Sequence, residues 1–297
     1  MTSSTLIRWG NPPTGIHNTP IYLGLKTGAF AIPGVHIEAR DNLSGADYTE
    51  ALVAGAHDMG HIGTPPLFAA LARTQEYVVV GSGLVRYPPF YLMAPAPVRS
   101  LRDLAGQGIT LNKLRTCPHS IIRTLLRWEG MEEDQVQMTT LVEGEAIVEA
   151  IRRGDTAAAV LWEPYVSYVE RVLGWKVLAE GRTTMVPSNY GILLYVRRSL
   201  LTSQPALVTR LLAAYADSVR TAQQGLAAAA ATVQERMPQV PLEDVESSLR
   251  REAPYWSADT RLDFRLLDRV MGELEIQTVV PERFVLTDFL AEVPLAA

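Results

Sequence analysis

Cysteine is almost absent from this chain, because Cys117 is the only one among 297 residues. A single cysteine excludes an intrachain disulfide, and no spacing of cysteine and histidine matches a structural zinc site. Long basic runs are also lacking, and the net charge of −5 argues against nucleic acid as a partner. No apolar run reaches the ~20 residues that span a bilayer, so membrane insertion is not expected.

Familiar catalytic and nucleotide-binding motifs are missing as well. Neither GxSxG nor GxGxxG nor the P-loop pattern occurs, which disfavours serine hydrolase, Rossmann and P-loop chemistry, and no cofactor is predicted. His57 and His61 stand four residues apart, which is ~13 Å on a strand, so they cannot chelate one ion and no metal is predicted. The first residues lack the features of a signal peptide, which predicts a cytoplasmic protein as written, or a periplasmic or extracellular one if an export signal was removed.

The residues that are present describe a globular α/β protein. The chain is 47% hydrophobic, and its length is near the limit of a single core, so two domains are expected. Short apolar runs alternate with helix-period segments, which predicts βα units around mostly parallel sheets with flanking helices. The predicted strands are Leu6–Trp9, Val35–Arg40, His57–Ile62, Tyr77–Leu84, Gly108–Leu111, Val136–Leu141, Ala157–Trp162 and Lys176–Ala179. The predicted helices are Pro20–Thr27, Ala46–Ala54, Pro65–Ala72, Pro118–Glu129, Glu145–Arg153 and Pro164–Val172.

From Pro205 onward the pattern is helical only, with an amphipathic face at Leu207, Leu211, Leu212, Tyr215 and Val219. Two apolar segments, at residues 90–93 and 192–196, are interpreted as paired crossovers that form a hinge. They predict a discontinuous first lobe over residues 1–93 and 196–297, and an inserted second lobe over residues 94–195.

One local pattern occurs four times: a strand, then a polar or small residue, then proline at a helix start. The copies are Thr19-Pro20, Thr64-Pro65, Cys117-Pro118 and Glu163-Pro164. Helices that follow parallel strands begin at the same edge of the sheet, where open α/β sheets bind ligands. Their positive ends attract a carboxylate, sulfonate or phosphate, and Lys113 and Arg115 would add formal charge. Each copy taken singly is equally explained as an ordinary helix start.

Several longer stretches resemble one known family. They are Tyr22–Phe30, Ala54–Pro66, Leu101–Thr110, Gly154–Asp155 with Ala159–Pro164, and Thr287–Leu290. Together they resemble the type II periplasmic binding proteins of the aliphatic-sulfonate, taurine and nitrate transport group. That group shares its fold with the NMT1-like thiamine-pyrimidine synthase and with hydroxybiphenyl sulfinate desulfinase. The resemblance covers nearly the whole chain and implies ligand contacts from the first loop, the Gly63-Thr64-Pro65 turn, the loop before Pro118 and the Trp162-Glu163 corner.

The candidate ligand-binding residues come from this resemblance and from loop position. Trp162 is equally explained as core, Glu163 by the helix dipole, and the loop residues near positions 86 and 189 as solvated side chains. The full set is His17, Asn18, Thr19, Gly63, Thr64, Arg86, Lys113, Arg115, Thr116, Cys117, His119, Trp162, Glu163, Asn189 and Tyr190.

Two functions follow as hypotheses. In the first, the lobes close on a small, anionic organic ligand without chemistry, as in a solute-binding protein of an ABC importer, with the permease as a further partner. In the second, a cytosolic enzyme of the same fold acts on a small aromatic or sulfur-containing acid. There Cys117 is the nucleophile, because a helix N-terminus lowers a thiol pKa, and His17 or His119 assists it. The other interpretation of Cys117 is a small polarizable residue that lines the pocket or caps the helix, and that of His119 is a partly exposed surface histidine.

Overall fold

Two β-sheets organise the chain, which this computed structural model describes at residues 4–85, 89–180, 190–281 and 284–293. The first sheet has the order β2-β1-β3-β10-β4. Strands β1, β2 and β3 are parallel, and β10 runs antiparallel to β3 and β4. The bounds are β1 Thr5–Asn11, β2 Val35–Asp41, β3 Met59–Gly63, β4 Tyr77–Val85 and β10 Tyr190–Arg197.

The second sheet repeats this plan with the order β7-β6-β8-β5-β9. Strands β6, β7 and β8 are parallel, and β5 runs antiparallel to β8 and β9. The bounds are β5 Tyr91–Ala94, β6 Gly108–Leu111, β7 Gln137–Thr140, β8 Ala158–Leu161 and β9 Lys176–Glu180. We call the layers built on the two sheets the first lobe and the second lobe. The predicted α/β fold with flanking helices is confirmed, and both sheets are mixed, because one strand in each runs against the other four.

The chain crosses between the sheets twice, once before β5 and once before β10. Each of these strands is the antiparallel member of the sheet that it enters. Residues 91–93 therefore pair in the second sheet, although the prediction assigned them to the first lobe. Residues 190–195 pair in the first sheet, although the prediction assigned them to the second lobe. The edges shift because the chain crosses ahead of each apolar segment, and the wider lobe division stays a prediction.

Helices follow the strands of both sheets as predicted, and a 3-10 turn at Ile16–Asn18 precedes the first of them. The helices between strands are α1 Thr19–Thr27, α2 Gly45–Val53, α3 Thr64–Leu71, α4 Cys117–Trp128, α5 Gly144–Arg153 and α6 Tyr165–Tyr168, which continues as a π-helical turn at Val169–Leu173. The C-terminal helices are α7 Arg198–Ser203, α8 Pro205–Gln224, α9 Leu226–Gln234, α10 Leu242–Glu252 and α11 Phe264–Ile276.

The C-terminal helices cover the first lobe and reach the second. The predicted apolar face of α8 is buried at all five positions, because its 3.6-residue spacing puts them on one side. Helix α10 packs against α9 in the first lobe and against α6 in the second. Among the described residues, no helix combines the length and the apolar character needed to cross a bilayer.

Candidate functional site

A cavity lies between the lobes, at the edge where the parallel strands of both sheets end. Its volume is about 30 Å³, room for two or three water molecules, so the lobes are in contact here and must separate to admit a larger molecule. Most of the described residues that line it are apolar or glycine, and they come from both lobes and from the first crossing. They are Pro12, Pro13, His17, Gly45, Ile62, Gly63, Pro66, Pro89, Phe90, Asn112, Thr116, Cys117, Pro118, Trp162, Gly191 and Ile192.

Three helix N-termini meet at this cavity, those of α2 and α3 from the first lobe and that of α4 from the second. A Cβ on Gly63 would lie 2.5 Å from Cys117 Sγ, so the starts of α3 and α4 are in contact across the gap. A Cβ on Gly45 would lie 3.4 Å from Thr116 Cγ2, which brings α2 to the same place. Because each helix start carries about half a positive charge, the cavity favours a negative group.

The prolines at these helix starts limit the hydrogen-bond donors. Helices α3 and α4 have no side-chain cap, but prolines 65, 66 and 118 carry no N–H group. In α2 the N–H of Asp47 is taken by the Ser44 side chain at 3.1 Å. The other first-turn main-chain N–H groups at these helix starts are at residues 45, 46, 64, 117 and 119. A compact anion that accepts a few hydrogen bonds suits this arrangement.

His17 lines the cavity from the 3-10 turn before α1, as predicted. Its Nε2 lies 3.0 Å from the carbonyl oxygen of Pro13, so Nε2 carries the proton and donates it. Burial lowers the pKa of His17 to about 4, and the ring is neutral at pH 7. Its Nδ1 is a buried acceptor with no hydrogen-bond partner in the described part of the chain.

Trp162 forms an aromatic corner of the cavity. Its ring is 97% buried and packs edge-on against Phe90 and Tyr165, with centroids 6.3 and 5.6 Å away. Its Nε1 donates to the carbonyl oxygen of Thr14 at 3.3 Å, which ties the second lobe to the first loop. Trp162 therefore serves both as core and as cavity wall, the two interpretations that the sequence left open.

Thr116 and Asn112 supply polar atoms from the second lobe. The Thr116 hydroxyl lies 3.0 Å from Asn112 Oδ1 and 2.6 Å from the carbonyl oxygen of Lys113, so these three residues fix the loop before α4. Thr116 was a predicted site residue, and Asn112 was missed. The signal for Asn112 was its place directly after β6, where a polar side chain reaches the ligand edge.

Cys117 lines the cavity, but the predicted activation of its thiol is wrong. Burial raises the pKa of Cys117 to about 12, and the main-chain N–H at the helix start offsets only part of this. The thiol is packed against Gly63 of the other lobe and is 94% buried. Desolvation outweighs the helix dipole here, so the thiol is neutral at pH 7 and a poor nucleophile.

Two predicted ligand contacts in the first loop are internal supports instead. Asn18 donates through Nδ2 to the carbonyl oxygens of Pro12 and Pro13 at 3.2 Å, and its Oδ1 accepts from His61 Nε2 at 2.9 Å. The Thr19 hydroxyl donates to the carbonyl oxygen of Ile16 at 2.5 Å. Neither side chain lines the cavity. Both are buried, and they hold the shape of the loop that presents His17.

The charged residues predicted around α4 do not line the cavity either. Lys113 pairs with Asp47 of the first lobe at 2.8 Å, because that carboxylate stands in the first turn of α2 across the gap. The main-chain N–H of Arg115 donates to His119 Nδ1 at 3.1 Å, and His119 Nε2 lies 3.5 Å from Glu133. Burial lowers the pKa of His119. These contacts turn the imidazole away from the cavity, so the roles expected of His119 and of the two cations are not supported.

Glu163 is fully buried behind the cavity wall rather than in it. Its carboxylate pairs with Arg251 Nη1 at 2.9 Å and accepts hydrogen bonds from Ser248 Oγ at 2.8 Å and from Ser167 N and Oγ at 3.1 Å. Burial raises the pKa of Glu163, and Arg251 opposes that shift. Pro164 is the N-cap of α6, not its first residue. Glu163-Pro164, the fourth copy of the proline pattern, therefore supplies an ion pair to α10 and not a helix start at the cavity.

The remaining predicted residues are one helix start and three loop positions. Thr64 begins α3 and is buried, but only its neighbour Gly63 lines the cavity. Arg86 and Asn189 lie outside the described residues, and Tyr190 is described only as the first residue of β10. Gly191 and Ile192, which follow it, do line the cavity. Both were absent from the predicted site, since residues 192–196 were interpreted only as a crossover and Gly191 was given no role.

A second hollow of about 320 Å³ shares Pro13 and Trp162 with the cavity as lining residues. Its carboxylates are Asp41, Glu143 and Glu145, and its cation, Arg236, lies over the ring of Tyr22. Asp41 already accepts hydrogen bonds from Thr14 and Tyr22, and Glu145 from Tyr165 and Gln239. Within the described part of the chain, no group of three acidic, histidine or cysteine side chains is placed to hold a metal ion.

The comparisons with known proteins agree on the class of molecule. Residues 16–225 match the family model described as NMT1/THI5 like. The chain is 29% identical over 140 residues to a putative aliphatic sulfonates-binding protein of Escherichia coli K12, and 29% identical over 140 residues to the taurine-binding periplasmic protein of the same organism. Each match covers 46% of this chain, and 43% and 42% of the respective relative, so less than half of each relative is spanned.

The likeness to solved structures extends over the whole fold. The alkanesulfonate-binding protein SsuA from Xanthomonas axonopodis pv. citri, bound to MOPS, superposes with a TM-score of 0.82 at 18% identity, over 98% of this chain and 100% of that one. The two-lobed fold predicted from the sequence, that of the periplasmic binding proteins, is confirmed. Since the family model covers more than half of its residues, the chain belongs to the NMT1/THI5-like family.

Proposed function

We propose that this protein is a solute-binding protein that closes its two lobes on a small organic anion, a sulfonate or a carboxylate, for an ABC importer. The observation that carries the proposal is the meeting of three helix N-termini, from both lobes, around one apolar cavity. Such a site binds an anion only when the lobes are together, because the donors of α3 and α4 come from opposite sides.

The relatives support the ligand class and the location of the protein. Two of them carry names that refer to binding aliphatic sulfonates and taurine, and the second of these is named as periplasmic. We extend the sulfonate class, the permease partner and a periplasmic location to this chain as parts of the same proposal. Fractionation of the native host with an antibody to this chain tests the location, and recovery in the cytoplasm alone would oppose an import role.

The enzymatic alternative with Cys117 as nucleophile fits the site less well. A thiol with a pKa near 12 is almost wholly protonated at pH 7. His119, its predicted helper, contacts Arg115 and Glu133 instead of the cavity. His17 donates Nε2–H to Pro13, and no contact with the thiol is seen among the described residues.

The binding function is tested by thermal unfolding and calorimetry with alkanesulfonates, arylsulfonates and carboxylates. A ligand that binds only the folded state stabilises it by RT ln(1 + [L]/Kd), which is about 2.7 kcal/mol at a hundred times Kd. Thr116→Val removes the hydroxyl that fixes the loop before α4 and should weaken binding about tenfold, because the start of α4 is then held less firmly at the cavity. Thr140→Val, on an exposed strand of the same lobe, is the matched control and should leave Kd unchanged. Absence of binding across the panel would refute the proposal.

A further inference from the structure

The wall of the cavity indicates which part of a ligand it can accept beyond the anionic group. Nine of its residues are proline, isoleucine, phenylalanine or tryptophan, and the polar side chains are His17, Asn112, Thr116 and Cys117. Phe90 and Trp162 pack edge-on and offer aromatic surface. A ligand body that displaces water from such a wall gains free energy in proportion to its apolar area.

Carboxylates are missing from the described lining, and the two that lie closest to lining residues in sequence, Asp47 and Glu163, are already paired. Asp47 binds Lys113 at 2.8 Å, and Glu163 binds Arg251 at 2.9 Å behind the wall. The two undescribed segments that adjoin lining residues in sequence are 86–88 and 181–189, and neither contains an aspartate or a glutamate. No acidic side chain from these sources can therefore pair with a cationic group inside the cavity.

His17 cannot replace the missing carboxylate. It is neutral and donates Nε2–H to Pro13, so its unpartnered Nδ1 accepts one hydrogen bond at most. A primary ammonium carries three donors and a full charge, and burying it beside one neutral acceptor leaves it largely uncompensated. The three helix starts add to the penalty, because their positive ends repel a cation.

We infer that the cavity selects a monoanion with an uncharged, apolar body and discriminates against amino-sulfonate zwitterions. This inference rests on the proposed function and goes beyond it, since the two similar curated relatives are named for aliphatic sulfonates and for taurine. The distinction comes from the wall alone. The anionic groups of both ligand types are the same, and only the group at the other end of the carbon chain differs.

A pair of near-isosteric ligands tests the inference: propane-1-sulfonate and taurine, in which an ammonium replaces the terminal methyl group. Both are titrated into the full chain by calorimetry at pH 7. Short ligands are chosen because the neighbouring hollow holds Glu143 and Glu145, which a longer amino-sulfonate would meet. Propane-1-sulfonate should bind at least about tenfold more tightly than taurine.

The outcomes separate the inference from the function beneath it. If taurine binds as tightly as propane-1-sulfonate or more tightly, the inference is overturned while the binding function stands. If neither these two nor any other sulfonate or carboxylate binds, the proposed function fails and the inference fails with it. A preference for propane-1-sulfonate supports both.

A designed change sharpens the test. Asn112→Asp places a carboxylate in the wall with almost no change of shape, and its Oδ1 still accepts from Thr116. The ratio of the two affinities should shift toward taurine by at least about tenfold, because the ammonium gains a partner and the lone anion is repelled. Gln107→Glu, an exposed position of the same lobe, is the matched control and should leave the ratio unchanged. An unchanged ratio in a folded Asn112→Asp protein would overturn the inference, and the wild-type comparison decides it if that variant fails to fold.

Discussion

The lobes meet in two regions of opposite character. Around the cavity, glycines and prolines face each other, and His17 is the only titratable imidazole in the described lining. Behind it lies the α6–α10 contact, in which Glu163, Ser167, Glu170 and Arg171 of the second lobe meet Asp244, Ser248 and Arg251 of α10. Arg171 alone makes two hydrogen bonds to Asp244, at 2.8 and 2.6 Å.

The difference shows how the protein combines closure with ligand binding. Ion pairs that each hold a buried carboxylate, that of Glu163 or of Asp244, fix the register of the lobes behind the cavity, and they depend on specific partners. The described lining of the cavity carries no formal charge, so the positive ends of three helices shape the field there. The α6–α10 contact thus holds the lobes together without lining the cavity, and changes there should have little direct effect on the wall that meets the ligand.

The largest effect is expected at Arg251. Replacement by methionine keeps much of the volume but leaves the Glu163 carboxylate buried without its cation, which costs about 3 kcal/mol of unfolding free energy. Urea unfolding followed by circular dichroism measures the loss. Arg250→Met is the matched control on the same helix, because Arg250 is exposed and its contact with Glu246 at 3.6 Å is weak. Equal losses in the two variants would contradict the importance of the α6–α10 contact.

A smaller effect is expected from pH, through Glu252 at the end of α10. Burial raises the pKa of Glu252 to about 8, so the folded protein holds a proton there that the unfolded chain has lost above pH 4.5. The free energy of unfolding therefore falls as pH rises toward 8. Between pH 6.5 and 8 the fall should be about 2 kcal/mol, since each pH unit contributes up to about 1.4 kcal/mol for one proton.

Glu252→Gln should remove this slope, which repeated urea titrations at several pH values would show. The window starts at 6.5 because the buried histidines act below it. Burial lowers the pKa of His17 and of His57 to about 4, so their contribution to stability is lost as pH falls from 6.5. If the unfolding free energy has the same slope against pH in wild type and in Glu252→Gln, the proton that the folded protein holds is not on Glu252.

The smallest effect is expected at Gly63, on the cavity side. Its backbone, at φ −61° and ψ 151°, suits any residue, but an alanine Cβ would lie 2.5 Å from Cys117 Sγ. Full closure then costs more, and Kd for a bound sulfonate should rise about tenfold with little change in unfolding free energy. Cys117→Ala in the same chain should restore binding, because it removes Sγ. Gly272→Ala, where a Cβ meets no atom within 4 Å, is the control. If Kd of the double variant stays as high as that of Gly63→Ala, contact between the new Cβ and Cys117 Sγ is not the cause of the weaker binding.

The sequence predicted the parts of this account that depend on local pattern. The positions of the other strands and of the helices followed from periodicity, but β5 and β10 were interpreted only as crossovers. The helix starts at Thr64 and Cys117 did reach one gap, because parallel strands end at a common edge. It failed where long-range contacts decide. Glu163 pairs with Arg251, 88 residues later in the chain, and so does not face the cavity. Lys113 pairs with Asp47, 66 residues earlier, and does not line the cavity either. No local pattern encodes either pairing.

The thiol at the cavity shows the same limit. A helix start favours a low thiol pKa, and that rule is sound for an exposed cysteine. Cys117 instead packs on Gly63 of the other lobe, so its burial arises from closure of two segments more than 50 residues apart. The helix starts that the sequence singled out were also incomplete, since α2 joins the cavity at Gly45, without a proline, while α1 and α6 do not.

A crystal structure of the full chain with propane-1-sulfonate tests the central claim most directly. We expect the sulfonate oxygens to lie within hydrogen-bond distance of main-chain N–H groups at the starts of α3 and α4, with the propyl group against Phe90 and Trp162. Binding of the anion in the neighbouring hollow, or at the exposed side of α4 near Arg115, would contradict the account.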